Sequence, residues 1–178
     1  MPIKENLYTP NCIRTFTGKY INVLEPTPEM ICIEDIAHSL ANQSRFGGHL
    51  PEFYSVAQHS VMCARNCKPG FEFQALMHDA SEAYLLDMPK PIKNHLPEYV
   101  KIEDNLMQVI AEMVGFPFPL QPEIKEIDKE MLEFEWHYVF MQHPKPGYFR
   151  CWSAIEAKEK FLEEYHSILN LKETQCLK

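Results

Sequence analysis

Phe71-Glu-Phe-Gln-Ala75-Leu-Met-His-Asp-Ala-Ser-Glu82-Ala-Tyr-Leu-Leu86 is the stretch on which the fold turns. Phe73, Leu76, Met77, Ala80, Ala83 and Tyr84 recur on one stripe, which predicts an amphipathic helix over 71–86. His78 and Asp79 sit inside it, flanked by Ala75, Leu76, Met77, Ala80 and Ala83, residues that predict burial. Two adjacent ionisable groups in a buried stretch are costly unless paired or bound to a metal. Their side chains leave a helix roughly 100° apart, yet a long imidazole and a short carboxylate can converge on one ion. Glu82 follows at i+4 and i+3, one turn on. The plainer alternative is a hydrogen-bonded core histidine with an aspartate as its partner.

Outward from this stretch the chain reads as helices broken by proline and glycine. Residues to about Pro28 are irregular, with an alternating segment at Thr17–Val23 that suits an extended strand or arm. Helices are predicted over 31–41, over 56–66 with Ser55 as N-cap, over 99–114, over 123–140 and over 154–169. Phe46-Gly47-Gly48-His49 forces a loop, Met88-Pro-Lys-Pro-Ile92 a turn-rich connector, and His143-Pro-Lys-Pro-Gly147 another loop. The expectation is an all-α fold of about six or seven helices, a single domain over 1–178 with an arm over about 1–28. An α/β architecture is a distant second.

Composition removes several classes. At 178 residues the chain suits one core rather than two. Its net charge of −8 speaks against coating a nucleic-acid polymer, which needs clustered Lys and Arg, and favours a small molecule in one cleft. No apolar run approaches the roughly 20 residues of a membrane span. The opening MPIKENLYTPNCIR lacks an apolar signal core, so a cytoplasmic location is expected. Cys12, Cys32, Cys63, Cys67, Cys151 and Cys176 form no zinc-knuckle spacing and read as ordinary thiols.

Metal-type ligands recur on interior-looking helices: His59 in Ser55-Val-Ala-Gln-His-Ser60, the His78-Asp79 pair, and Asp128 in Ile124-Lys-Glu-Ile-Asp128. Two imidazoles with two carboxylates suit one divalent transition ion, Co, Mn, Ni, Fe or Zn. Magnesium alone rarely recruits imidazole.

The ordered set His59, His78-Asp79, Asp128 resembles the HD-domain metal phosphohydrolases, an all-α superfamily with the motif order H, HD, D. Arg45-Phe46, Ser55-Val-Ala-Gln-His59, His78-Asp-Ala-Ser-Glu82 and Asp87-Met-Pro-Lys-Pro-Ile-Lys93 look like the bacterial HD-type 5′-deoxynucleotidases. Ile33-Glu-Asp-Ile-Ala-His38 and Arg45-Phe-Gly-Gly-His49 are closer to a bacteriophage subgroup that includes the dATP triphosphohydrolases of diaminopurine genomes. The similarity spans residues 18 to 135 or so.

What the resemblance implies is specific. His59, His78, Asp79 and Asp128 would hold the metal, Glu82 would be the acid or base beside the attacking water, and Arg45 would contact phosphate. Phe46 would stack on the nucleotide and Asp87 would meet the sugar hydroxyl, while Lys90 and Lys93 would meet phosphate oxygens or remain solvated surface charge. Magnesium would accompany the phosphate tail. The expected reaction is metal-assisted hydrolysis of a small deoxynucleotide, with dATP cleaved to deoxyadenosine and triphosphate in first place. A 5′-deoxynucleotidase acting on dNMPs is the alternative, and a non-catalytic nucleotide-binding module a second one. Relatives assemble, so a homo-oligomer is expected. Phe134, Trp136, Tyr138, Phe140, Phe149 and Trp152 would serve as interface or as core.

Overall fold

Cys12–Arg14 (β1) and Tyr20–Asn22 (β2) pair antiparallel, with Ile13 opposite Ile21, in the computed structural model of the chain. The model describes residues 9–176, the side chains of 172–176 excepted; the first eight residues of the expected N-terminal arm lie outside it. The extended segment expected at Thr17–Val23 is therefore half of a hairpin. Its partner β1, only three residues long, is too short to show a period of its own. Asp35 anchors the hairpin by accepting from the Thr17 amide at 2.7 Å and the Thr17 hydroxyl at 2.8 Å.

Helices make up the rest: Ile33–Asn42 (α1), Val56–Asn66 (α2), Glu72–Met77 (α3), Glu82–Leu85 (α4), Lys90–Lys93 (α5), Pro97–Val114 (α6), Pro122–Glu135 (α7) and Ala154–Cys176 (α8). Two of these, α4 and α5, are single turns, so the all-α architecture has six longer helices. None is long and apolar enough to cross a membrane among the described residues.

The core is built around α2. The Ser55 hydroxyl caps its start, accepting from the Gln58 amide at 3.1 Å. Val56, Ala57, Gln58, His59, Ser60, Val61 and Cys63 are all fully buried, the signature of a helix covered on every side. The helices α1, α3, α7 and α8 cover it. Gln58 is the polar exception that ties in a distant loop: its amide donates to the Arg150 carbonyl at 3.0 Å and accepts from the Trp152 amide at 2.8 Å. Phe161 and Ala157 on α8 complete the centre.

The helix expected over 71–86 is not continuous. It stops at Met77 and resumes at Glu82. Between them the ladder tightens to i→i−3 bonds: Ala80 to Met77 at 3.0 Å, Glu82 to Asp79 at 3.0 Å, Ala83 to Ala80 at 3.3 Å. A 3₁₀ segment turns about 120° per residue, so residues three apart eclipse. Asp79 and Glu82 are thus brought onto one line, which α-helical spacing would only approximate.

Three smaller differences have simple causes. The connector 88–92 contains one helical turn, because Pro91 is tolerated where an amide is unsatisfied anyway. Pro97 likewise starts α6 two residues before its expected start at Tyr99. The helix expected to end near Phe140 is α-helical to Glu135 and closes in a π turn, with the Met141 amide reaching the Trp136 carbonyl at 3.0 Å. The aromatic run is divided between roles: Trp136 and Tyr148 are exposed, Trp152 packs on the core, and Phe134 contacts Tyr138 and Phe149.

Gln58→Leu should strand the Arg150 carbonyl and the Trp152 amide. The expected loss is about 1–3 kcal/mol of stability, seen as a lower urea midpoint with an unchanged slope.

Candidate metal centre and cleft

The two imidazoles meet first. His59 Nε2, from the buried middle of α2, lies 3.2 Å from His78 Nε2. Asp79 Oδ2 stands 3.7 Å from the first nitrogen and 3.2 Å from the second. Asp128 Oδ1, reaching in from α7, stands 3.2 Å and 3.8 Å from the same two atoms. Ligand atoms held at about 2.0–2.2 Å around one ion lie roughly 3.0–3.6 Å from each other, so the four side chains surround a volume of the right size.

Neighbours orient both rings. The His78 Nδ1–H donates to the Ala75 carbonyl at 2.7 Å, and His59 Nδ1 contacts Glu135 Oε1 at 2.5 Å. Each ring therefore turns its Nε2 inward, the arrangement in which a carboxylate or carbonyl fixes the tautomer of a metal-binding histidine. Glu135 is fully buried and also accepts from Arg45 Nε at 3.0 Å. Arg45 Nη1 is 3.6 Å from Asp79 Oδ2.

Electrostatics shows what is missing. Burial alone would raise the carboxyl groups of Asp79, Asp128 and Glu135. The His78, His59 and Arg45 charges hold Asp79 below the ordinary range, hydrogen bonds from His59 and His78 do so for Asp128, and His59 and Arg45 for Glu135. Three ionised carboxylates against one guanidinium leave two negative charges to be balanced. Against the lowering effect of burial, the neighbouring carboxylates push both imidazole pKa values up, so ring protons can supply part of this balance. A divalent cation would do it without charging the rings. The residues fit such an ion.

Cys63 makes a second grouping with His59 and His78. Its Sγ is 3.5 Å from His59 Nε2 and 3.9 Å from Nδ1, nearly equidistant, so it rests beside the ring and off the Nε2 lone-pair axis. The carboxylates hold the better positions.

The centre opens into a cleft of about 1020 Å³. Of the residues expected there from sequence, Arg45, Phe46, Asp79, Glu82, Asp87, Lys90, Lys93 and Asp128 line it. Glu82 is buried and its Oε2 has no hydrogen-bond partner. Burial first, then the Asp79 and Asp87 charges, push its pKa well above the ordinary carboxylate value. Burial and Asp79 also raise Asp87. Phe46 projects from a left-handed turn, φ 55° at Phe46 and 60° at Gly47, and packs 6.1 Å from Phe140.

The lysines divide differently from expectation. Lys93 Nζ is held by Glu103 at 2.6 Å, so its charge is already compensated. Lys90 also lines the cleft, and Lys125, which the sequence reading passed over, joins it on the wall. Lys125 lies three residues before Asp128 on α7, on the same helical face. Glu135 was also passed over, although it follows Asp128 by seven residues, two turns along that face. That spacing was the available signal.

No family model matches the chain. An uncharacterized protein of Escherichia coli (strain K12), YfdR, is 46% identical over 123 residues, 69% of this chain and 69% of that protein. An uncharacterized protein of Rhodobacter capsulatus is 36% identical over 126 residues, 65% of this chain and 64% of that protein. A protein of Photorhabdus temperata named 5′-deoxynucleotidase YfbR is 35% identical over 89 residues, 47% of this chain and 44% of that protein.

Glu135→Gln should weaken divalent-ion binding by about 10–100-fold in calorimetric titration, because His59 loses the carboxylate that orients it. Glu82→Gln should stabilise the metal-free protein at neutral pH. A carboxyl whose folded pKa is raised keeps its full stability contribution below the unfolded value, near 4.3, and loses it as pH climbs through the folded value. The Tm advantage of the variant should therefore be negligible near pH 4 and grow toward pH 8.

Proposed function

The chain belongs to the family of Escherichia coli YfdR, and from that premise we propose that it is an HD-type, divalent-metal-dependent phosphohydrolase of small deoxynucleotides. The observation that carries the reading is the convergence of His59, His78, Asp79 and Asp128 around a centre short of two positive charges, at the floor of an open cleft. The favoured substrate is a deoxynucleoside 5′-monophosphate, a reading supported by the similarity to the Photorhabdus temperata protein and its printed name.

A divalent transition ion bound there supplies Lewis acidity, lowering the pKa of water and polarising a phosphoryl oxygen. The rest is the work of side chains. Burial raises the pKa of Glu82, and its Oε2 has no hydrogen-bond partner among the described residues, which supports a role in handing a proton to the departing 5′ oxygen. Arg45 has Nε tied to Glu135 and Nη1 beside Asp79, and its guanidinium lines the cleft, where its remaining N–H groups would meet nonbridging oxygens. Phe46 offers a ring face to the base, and Asp87 a carboxylate to the sugar hydroxyl. The net charge of −8 is compatible with a small anion drawn to a local centre, and unfavourable for a nucleic-acid polymer.

A second reading, dATP hydrolysis to deoxyadenosine and triphosphate, is favoured by Lys90 and Lys125. Two lysines beyond the Glu103-bound Lys93, in a cleft of about 1020 Å³, offer more positive charge than one phosphate needs and suit a longer phosphate chain with its own magnesium.

The deciding experiment supplies Co, Mn, Ni, Fe or Zn to chelator-stripped protein, presents each dNMP and dNTP, and identifies the products. Deoxynucleoside and phosphate from dNMPs support the first reading, and inorganic triphosphate from dATP the second. No turnover with any ion sinks both. Glu82→Gln should keep the ion while slowing turnover by about 10²–10⁴.

A further inference from the structure

Leu86 follows the last turn of α4 with φ 70° and ψ 154°, a backbone conformation that suits glycine, and its side chain is 63% exposed. Nothing about packing its side chain explains that geometry. The segment is instead held from both sides by polar groups outside the metal centre. The Gln43 amide donates to the Glu82 carbonyl at 2.9 Å, and its oxygen accepts from the Asp87 amide at 3.0 Å. The Glu82 carbonyl also receives the Leu86 amide at 2.8 Å. Opposite, the Tyr99 hydroxyl lies 3.1 Å from the Leu85 carbonyl and 3.0 Å from that of Leu86.

Gln43 is itself fixed. Its side-chain nitrogen reaches the Ser39 hydroxyl at 3.1 Å, and its carbonyl accepts the Val56 amide at 3.1 Å, at the start of the helix that carries His59. One amide side chain thus spans the six residues from Glu82 to Asp87 and refers both ends to α1 and α2.

We propose that Gln43 is a positioning residue that, with Tyr99, fixes the distance between Glu82 and Asp87 and thereby sets the discrimination between deoxyribose and ribose. This rests on the function proposed above. The clamp holds Asp87 where a sugar hydroxyl meets it, and an extra 2′-hydroxyl then has to compete for the same rigid wall. Without the clamp, Leu86 relaxes toward a common backbone conformation, Asp87 moves, and the wall yields to either sugar. Neither Gln43 nor Tyr99 needs to touch substrate or ion for this.

The test uses the full chain with its metal, in the variants Gln43→Leu and Tyr99→Phe. Removing one hydrogen bond should speed amide exchange at Asp87 by about five- to tenfold. The ratio of kcat/KM for deoxynucleotide over ribonucleotide should fall by roughly tenfold or more, through KM more than kcat, with metal content unchanged. Tyr99→Phe, at a half-buried site, should shift both readouts in the same direction by less. Unchanged exchange at Asp87 overturns the clamp. Faster exchange with an unchanged ratio overturns its role at the sugar. If the parent protein hydrolyses no nucleotide, the proposed function fails, and the sugar role with it, while exchange still reports whether the clamp exists.

Discussion

Three carboxylates sit where three segments cross, two more negative charges than Arg45 alone balances, and much of the surrounding structure is arranged around them. Asp79 and Asp128 face the His59 and His78 nitrogens, while Glu135 lies behind His59 with Arg45 as its partner. Placing three carboxylates this close in a partly buried setting works against folding unless cations are supplied. The guanidinium of Arg45 supplies one charge, and histidine protons or an ion the remainder.

The rigidity of α2 follows from that demand. A helix that carries a fully buried histidine needs neighbours on all sides, and only small or medium side chains such as Val56, Ala57, Ser60 and Cys63 let them approach. Gln58 then uses its amide to hold the loop before α8, adding a polar tie between the ligand-bearing helix and the C-terminal part of the chain. The cleft side is built differently: its wall is made of single turns, prolines and a left-handed aromatic turn, fixed by a few hydrogen bonds between distant segments where the histidine-bearing centre is fixed by packing on all sides.

Much of this was legible in the sequence, and the reason differs from residue to residue. The His78-Asp79 pair stood out because its apolar flanks made burial certain to be expensive, and the apolar spacing on either side gave the helical class. Glu135 did not stand out. It is one of five glutamates on α7, with Glu123, Glu126, Glu130 and Glu133, and only the three-dimensional neighbourhood of His59 selects it. Lys125 went unnoticed for a related reason: a lysine on a charged helix carries no signal of its own, and only the face it shares with Asp128 brings it to the cleft beside Lys93, whose partner Glu103 is equally invisible in the sequence. Hydrogen bonding between segments far apart in sequence, as at Gln43, leaves no periodic trace.

The tightened turn between α3 and α4 has a consequence for how such a chain can vary. With about 120° per residue, inserting or deleting one residue between His78 and Glu82 would swing one side chain a third of the way round the axis and out of register with the other. The loops at Pro69-Gly70 and at 143–147 carry no such constraint, since lengthening an exposed loop costs little closure entropy. Length variation among chains of this design should therefore gather in those loops and be absent from the four-residue step from His78 to Glu82.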